Sequence, residues 1–82
     1  MKIIKFSSVG CGQCRQLQGF LDKNGYEVDK ELDINKSIDK VEEYKITGLP
    51  TLLKLDDKGN EIDRIVGLCP PSRIKEFFNK DD

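Results

Sequence analysis

Residues 2–14 read KIIKFSSVGCGQC and bring a strand signal, a loop and a Cys-x-x-Cys motif together in one short stretch. The part from Lys2 to Ser7 is apolar and rich in Ile and Phe, as is typical of a buried strand, and the residues after it indicate a loop. Cys11 and Cys14 follow at once. The stretch therefore predicts a strand that leads through a loop to a pair of cysteines at the start of the next element.

The two cysteines open a segment with helical periodicity. Cys14, Leu17 and Leu21 fall at positions i, i+3 and i+7, which lie on one face of a helix. Gly25 follows as a left-handed cap at the carboxyl end. We therefore predict the first helix over residues 11–24, with its amino end at the Cys-x-x-Cys motif.

The rest of the chain alternates between strand and helix patterns. The predicted elements are a second strand over 26–34, a short helix capped by Ser37, two strands over 51–55 and 62–66 joined by a polar turn, and a last helix that starts at Pro70-Pro71-Ser72. The initial strand-helix-strand unit requires a right-handed parallel crossover, and the later hairpin adds antiparallel strands. The predicted fold class is therefore α/β, in the order βαβαββα, with a four-stranded mixed sheet covered by helices on both faces.

The length of 82 residues indicates one domain over residues 1–82. Charged residues make up 35% of the chain but balance to a formal net charge of -1, so no broad electrostatic field attracts nucleic acid or anionic lipid. The first residues contain only short apolar runs between lysines, which do not form a signal-peptide core, and no later stretch is long enough to span a bilayer. We therefore expect a cytoplasmic protein with no nucleic-acid partner and no membrane partner.

The cysteine content points to chemistry at the Cys-x-x-Cys motif. Three cysteines are an odd number, and without a secretion signal they do not indicate a framework of structural disulfides. Such a pair is either redox-active or part of a metal site. The sequence has no His and only one further cysteine, so four-coordinate zinc lacks ligands. We interpret the motif as a redox dithiol and expect no metal.

The predicted position of Cys11 at the amino end of a helix suits a nucleophile. Free amide groups and the positive end of the helix dipole favour a thiolate there, whereas an ordinary thiol, with a pKa of about 8.5, is mostly protonated at neutral pH. Cys14 lies three residues later on the same face, within reach of a disulfide. We assign Cys11 as the nucleophile and Cys14 as the resolving thiol of a cycle that passes through a mixed disulfide.

The sequence resembles the thioredoxin family in a form shortened at its amino terminus. The features that carry the resemblance are the first strand, the CGQC motif and the helix after it, then TGLPT at 47–51 and Val66-Gly67. The resemblance covers nearly the whole chain. It implies a thioredoxin-like protein-disulfide reductase that works as a monomer on disulfide-containing proteins. It also implies that no cofactor is bound and that electrons come from NADPH through a thioredoxin reductase. The residues that we expect to bind substrate around the dithiol are Gly12, Gln13, Leu49, Pro50 and Gly67.

The same resemblance implies a cis peptide bond between Leu49 and Pro50. In the family this proline lies against the dithiol, so the backbone of Leu49 would bind substrate. The alternative is that Pro50 starts an edge strand after an ordinary trans bond, since only about 5–6% of X-Pro bonds in folded proteins are cis. The family pattern favours the cis form here.

Two charged residues depart from the thioredoxin pattern. Lys5 stands six residues before the first cysteine, where thioredoxins carry a buried Asp, and Glu31 takes the place of the Lys that faces this Asp. We predict a Lys5–Glu31 pair beneath the dithiol, because an unpaired Lys in a low-dielectric site is costly. The alternative is that Lys5 reaches solvent by its flexible stem. In the pair, Lys5 would favour a Cys14 thiolate and Glu31 would relay a proton.

Two other functions stay open at this point. A glutaredoxin-like redoxin is supported by the small size, by residues 67–75 and by the Cys-x-Gln-Cys pattern, which also occurs in redoxins that serve ribonucleotide reductase. Against glutathione use, the Thr-Val-Pro segment of glutaredoxins is replaced by Gly-Leu-Pro at 48–50, and no Lys or Arg lies just before Cys11. The second alternative is a module of this fold that binds a partner protein without turnover.

Cys69 follows the last predicted strand and lies outside the motif. Three interpretations compete for it. It is a small apolar residue that packs in the core, a regulatory thiol, or a third participant in disulfide exchange. The packing interpretation is the one that we favour.

Overall fold

A computed structural model of the chain describes residues 1–79, which contain seven elements of secondary structure. They are β1 (Lys2–Ser7), α1 (Gly12–Asn24), β2 (Lys30–Asp33), α2 (Ile38–Glu43), β3 (Thr51–Leu55), β4 (Glu61–Val66) and α3 (Pro71–Asn79). The predicted order βαβαββα is confirmed. Within residues 1–79, none of the helices has the length and apolar character needed to cross a bilayer.

The four strands form one mixed sheet in the order β2-β1-β3-β4, which confirms the predicted class of sheet. β1 pairs in parallel with β2, where Lys5 lies opposite Glu31, and antiparallel with β3, where Phe6 lies opposite Thr51. β3 and β4 form the predicted antiparallel hairpin. The end of β1, which leads toward the cysteines, therefore lies at the same edge of the sheet as the start of β3.

Helices cover both faces of the sheet, as predicted, because successive strand residues point to opposite sides. On one face, α1 and α3 pack on the sheet through a group that we call the α1/α3 cluster: Leu17, Leu21, Leu52, Ile65, Ile74 and Phe77. On the other face, the α2-side cluster consists of Ile4, Phe6, Leu53 and Leu55, with Val41 and Tyr44 packed against it. The dithiol helix is therefore anchored by the first of these two clusters.

The second strand is shorter than the alternation of its sequence predicts. We expected strand over 26–34, but β2 covers only Lys30–Asp33. Asp29 lies outside β2 but still binds β1 through two hydrogen bonds to Ile3. The Asp29 amide donates to the Ile3 carbonyl at 2.8 Å, and the Asp29 carboxylate accepts from the Ile3 amide at 2.7 Å. Tyr26 packs with the α1/α3 cluster, whereas Leu32 packs on the opposite face. The apolar side chains thus change face between Tyr26 and Leu32, so the strand does not extend back to Tyr26.

Two other boundaries of helices and strands differ from the prediction by one residue, and one predicted helix cap lacks its hydrogen bond. Cys11 is the N-cap residue of α1 rather than its first helical residue. β4 begins one residue early, at Glu61. Ser37 occupies the N-cap position of α2, but its side chain makes no capping hydrogen bond, because its φ of -130° and ψ of 45° lie outside the extended conformation that capping uses.

Two lysines are buried on the face of the sheet that α1 and α3 cover. Lys5 and Lys54 are 2% and 3% exposed. The Lys54 ammonium donates to the carbonyl of Phe77 near the end of α3 and lies 4.7 Å from the centroid of the Phe77 ring. A cation at the carboxyl end of a helix and over an aromatic face is favourable, so this lysine is accommodated structurally. Lys5 has different surroundings, which belong to the cysteine site.

Candidate active site

Cys11 and Cys14 are joined by a disulfide, with their Cα atoms 5.2 Å apart. Cys11 lies in extended conformation at the N-cap of α1, and its Sγ accepts a hydrogen bond of 3.1 Å from the amide of Cys14. Cys11 is partly exposed, whereas Cys14 is 4% exposed. An incoming disulfide can therefore reach Cys11 more easily than Cys14.

The local backbone explains why Cys11 stands at this point. The Cys11 amide donates to the carbonyl of Ser8 at 3.3 Å, which turns the chain after β1, and the Cys11 carbonyl accepts the first helical bond from Arg15 at 3.2 Å. Because the first amides of a helix have no partner within it, a sulfur at the N-cap can accept from them. After reduction, the same amides and the helix dipole would stabilise a Cys11 thiolate.

A pocket of about 160 Å³ opens beside the disulfide. Its lining comes from β1 and the loop after it, from α1 and from β2: Lys5, Ser7, Ser8, Cys11, Cys14, Arg15, Gln18 and Glu31. The pocket therefore places the two cysteines and the predicted charged pair around one shared space. It does not include the five predicted substrate-binding residues.

The ion pair predicted between Lys5 and Glu31 is present, with 3.3 Å between the Lys5 Nζ and the Glu31 Oε2. The Lys5 ammonium also donates to the Gln18 Oε1 at 2.6 Å, and the Ser7 hydroxyl donates to the same Glu31 oxygen at 3.1 Å. Gln18 and Ser7 were not predicted from the sequence. The available signal for Gln18 was its position four residues after Cys14, on the same face of α1. The alternative, in which Lys5 reaches solvent, is wrong because its ammonium is held inside this network.

The Leu49–Pro50 peptide bond is cis, as the family resemblance implies, and Pro50 is buried. The Thr51 hydroxyl donates to the carbonyl of Gly48 at 2.6 Å, and the Gly67 amide donates to the carbonyl of Pro50 at 2.7 Å. The first bond lies within the proline segment, and the second ties this segment to the end of β4. Since Thr51 pairs with Phe6, the segment lies at the edge of the sheet where β1 leads to the cysteines.

The five predicted substrate-binding residues differ in exposure. Gly12 and Gln13 are exposed in the first turn of α1, Gly67 is partly exposed, and Leu49 packs against the α2-side cluster. Exposed apolar side chains that the prediction did not include stand near them in sequence, at Val9, Val66 and Leu68, with 90%, 45% and 46% of their surface accessible. Substrate binding by these residues stays a prediction.

Cys69 is a free thiol, packed against the α1/α3 cluster and partly buried. Burial raises the pKa of this thiol, although the charge of Arg73 opposes the effect. This environment agrees with the packing interpretation. Among residues 1–79, no group of three or more Cys, Asp or Glu side chains is placed to hold a metal ion.

We expect Cys69 to be dispensable for disulfide exchange and slow to react. Because burial raises the pKa of its thiol, little thiolate forms at neutral pH, and the thiolate is the reactive species. Alkylation of the reduced protein with iodoacetamide, followed by peptide mass spectrometry, should modify Cys11 first. The Cys69→Ala variant should reduce insulin at the rate of the original protein. A large loss of activity in this variant would instead support a third participant in the exchange.

Comparison with known proteins finds one family model, several relatives and several solved structures that are similar to the chain. The family model for thioredoxin matches residues 1–80. A thioredoxin of Staphylococcus epidermidis is 25% identical over 85 residues, which cover 98% of this chain and 81% of the relative. One from Chlamydia trachomatis is 33% identical over 82 residues, which cover 95% of this chain and 79% of the relative. A thioredoxin structure from Plasmodium falciparum has the same fold, with a TM-score of 0.82 over 99% of this chain and 85% of that one, at 22% identity.

Proposed function

The chain belongs to the thioredoxin family, and from this membership we infer that it reduces disulfide bonds in other proteins, with Cys11 as the nucleophile and Cys14 as the resolving thiol. As a family member it is a thiol-disulfide oxidoreductase. The observation that carries the assignment of roles is the disulfide at the amino end of α1, whose Cys11 is partly exposed and whose Cys14 is buried.

The proposed cycle conserves sulfur bonds and electrons at each step. The Cys11 thiolate attacks one sulfur of the substrate disulfide, forms a mixed disulfide with it and releases the other substrate sulfur as a thiolate. Cys14 loses its proton and attacks the Cys11 sulfur, which breaks the mixed disulfide and releases the second substrate thiolate. The substrate gains two electrons and two protons, and the protein is left with the Cys11–Cys14 disulfide.

We propose that a thioredoxin reductase returns the protein to the dithiol form with electrons from NADPH. Thioredoxins act without a bound cofactor, so the electrons must arrive from another protein or thiol. The Gly-Leu-Pro segment at 48–50, in place of the Thr-Val-Pro of glutaredoxins, supports the reductase over glutathione. A reducing cytoplasm suits a protein that must be kept as a dithiol, and we propose that it works there as a monomer.

A glutaredoxin-like use of glutathione is the second candidate. The exposed Arg15 lines the pocket beside Cys11, where its guanidinium could meet a carboxylate of glutathione. The Gln13 of the Cys-x-Gln-Cys pattern supports ribonucleotide reductase as one protein substrate in either case. These proposals differ in the electron donor and can therefore be separated by one assay.

We expect insulin reduction to run at least about tenfold faster with NADPH and thioredoxin reductase than with NADPH, glutathione and glutathione reductase, a difference of about 1.4 kcal/mol in activation free energy. NADPH consumption is the measurement, and each system without this protein is its control. A faster rate with glutathione and glutathione reductase would support the glutaredoxin-like function instead. No turnover with either system would favour the binding module or a reductase other than the two in the assay.

A further inference from the structure

The Lys5 ammonium is the most deeply buried charge beside the disulfide. Its side chain is 2% exposed, and it lies in the lining of the pocket that also contains both cysteines. A buried ammonium is costly unless it is paired and hydrogen-bonded, and here it donates to Gln18 and Glu31. These two acceptors therefore fix the position of the ammonium.

Gln18 holds the ammonium without cancelling its charge. Its amide group is oriented by a second bond, in which the Gln18 Nε2 donates to the Asp22 Oδ1 at 2.8 Å. This bond turns the amide oxygen toward Lys5, which it meets at 2.6 Å. A neutral acceptor satisfies the ammonium but leaves its net charge in place, so the field of Lys5 still reaches the neighbouring sulfur atoms.

Glu31 neutralises Lys5 only partly. Its carboxylate is at 3.3 Å, but its side chain is 53% exposed and the same oxygen also accepts from Ser7. Solvent screens an exposed charge much more strongly than a buried one. The remaining charged group in the pocket lining is Arg15 of α1, which is exposed and also positive. The pocket therefore presents a net positive field to the cysteines.

We propose that Lys5 is a fixed positive charge that stabilises the Cys14 thiolate, and that Gln18 is the residue that positions it. The proposal rests on the proposed function, because it concerns the step in which Cys14 loses its proton and attacks the mixed disulfide. The thiol proton passes from Cys14 through the pocket to solvent and is taken up by the departing substrate thiolate. The Cys14 sulfur forms its bond to Cys11 as the bond from Cys11 to the substrate breaks.

The test is the pH titration of Cys14 in the Cys11→Ser variant, followed by the NMR chemical shift of the Cys14 Cβ. Lys5→Met keeps most of the side-chain volume and removes the charge. It is expected to raise the midpoint of the titration and to leave about tenfold less thiolate at neutral pH, since an opposite charge at close range has effects of this size. An unchanged midpoint would overturn the proposal.

The chain offers a matched control in its second buried lysine. Lys54 is 3% exposed on the same face of the sheet, but it lies opposite Ile3, farther along β1 from the cysteines, and does not line the pocket. Lys54→Met should therefore leave the Cys14 midpoint unchanged. If Lys5→Met and Lys54→Met raise the Cys14 midpoint equally, the effect comes from a general disturbance of the core and not from the charge of Lys5. The proposal would then be wrong.

A second variant separates charge from hydrogen bonding. Gln18→Glu keeps an acceptor for Lys5 and adds a negative charge that offsets the ammonium, so it should also raise the midpoint of the Cys14 titration. An unchanged midpoint would show that charge in this pocket does not act on Cys14, and the proposal would be wrong. The insulin assay keeps this result distinct from the proposed function. If the original protein does not reduce insulin but Lys5→Met raises the Cys14 midpoint, only the proposed function is rejected. If the original protein reduces insulin but the Cys14 midpoint stays unchanged in the variants, only the role of Lys5 is rejected.

Discussion

The Cys11→Ser variant is expected to reduce insulin no faster than the assay without the protein. A serine hydroxyl does not ionise at neutral pH, so the amides at the start of α1 have no thiolate to stabilise and no mixed disulfide forms. Cys14 cannot replace the lost nucleophile, because it is only 4% exposed on the buried face of the first turn of α1. The measurement is the rate of insulin precipitation with dithiothreitol as electron donor, which removes any dependence on a reductase.

The other two cysteines supply the controls for this result. Cys14→Ser should also lose turnover, but its Cys11 should form a covalent adduct with a disulfide substrate that mass spectrometry detects, because the resolving step is missing. Cys69→Ala should retain full activity. Substantial activity in Cys11→Ser would contradict the assigned roles. Partner binding that survives the loss of both Cys11 and Cys14, without turnover in the original protein, would identify a binding module.

The sequence predicted the dithiol site well because local rules decide it. Cys11 and Cys14 are three residues apart at the start of a helix, and that spacing alone brings their sulfur atoms within bonding distance. The mixed sheet also followed from short-range connections, namely the strand-helix-strand crossover and the later hairpin. The prediction that Pro50 lies near the two cysteines depended on the family resemblance. Pro50 is distant from the cysteines in the chain, and no local pattern indicates that they come together.

The missed features depend on tertiary contacts. Gln18 is a polar residue beside the apolar face of α1, and only the burial of Lys5 beneath the helix shows which group its side chain binds. The alternation of residues 26–34 has one exception, Lys30, at a position expected to be apolar, and this single exception does not show that the chain changes face there. Lys54 lies in the apolar run of β3, and its burial depends on the end of α3 being placed over it. Each error therefore has the same origin, a contact between distant segments.

The Phe77→Ala variant is expected to lower the free energy of unfolding by about 3–5 kcal/mol. Phe77 has 0% exposure in the α1/α3 cluster, and its removal leaves a cavity between α3, the sheet and α1. The loss is a large part of the roughly 5–15 kcal/mol that stabilises a small domain. At about 4–8 °C for each kcal/mol, the melting temperature should fall by more than about 12 °C.

Phe78→Ala is the matched control, because it deletes the same ring from the next residue of α3. Phe78 is partly buried and stacks on Tyr26 with 4.9 Å between ring centroids, so a smaller loss is expected. Thermal and urea unfolding of the oxidised proteins measures both. Equal losses would contradict the assignment of Phe77 to the central core. Leu17 and Leu21 anchor the dithiol helix in the same cluster as Phe77. Phe77→Ala should therefore lose insulin reduction at its own melting temperature, well below the temperature at which the original protein loses activity.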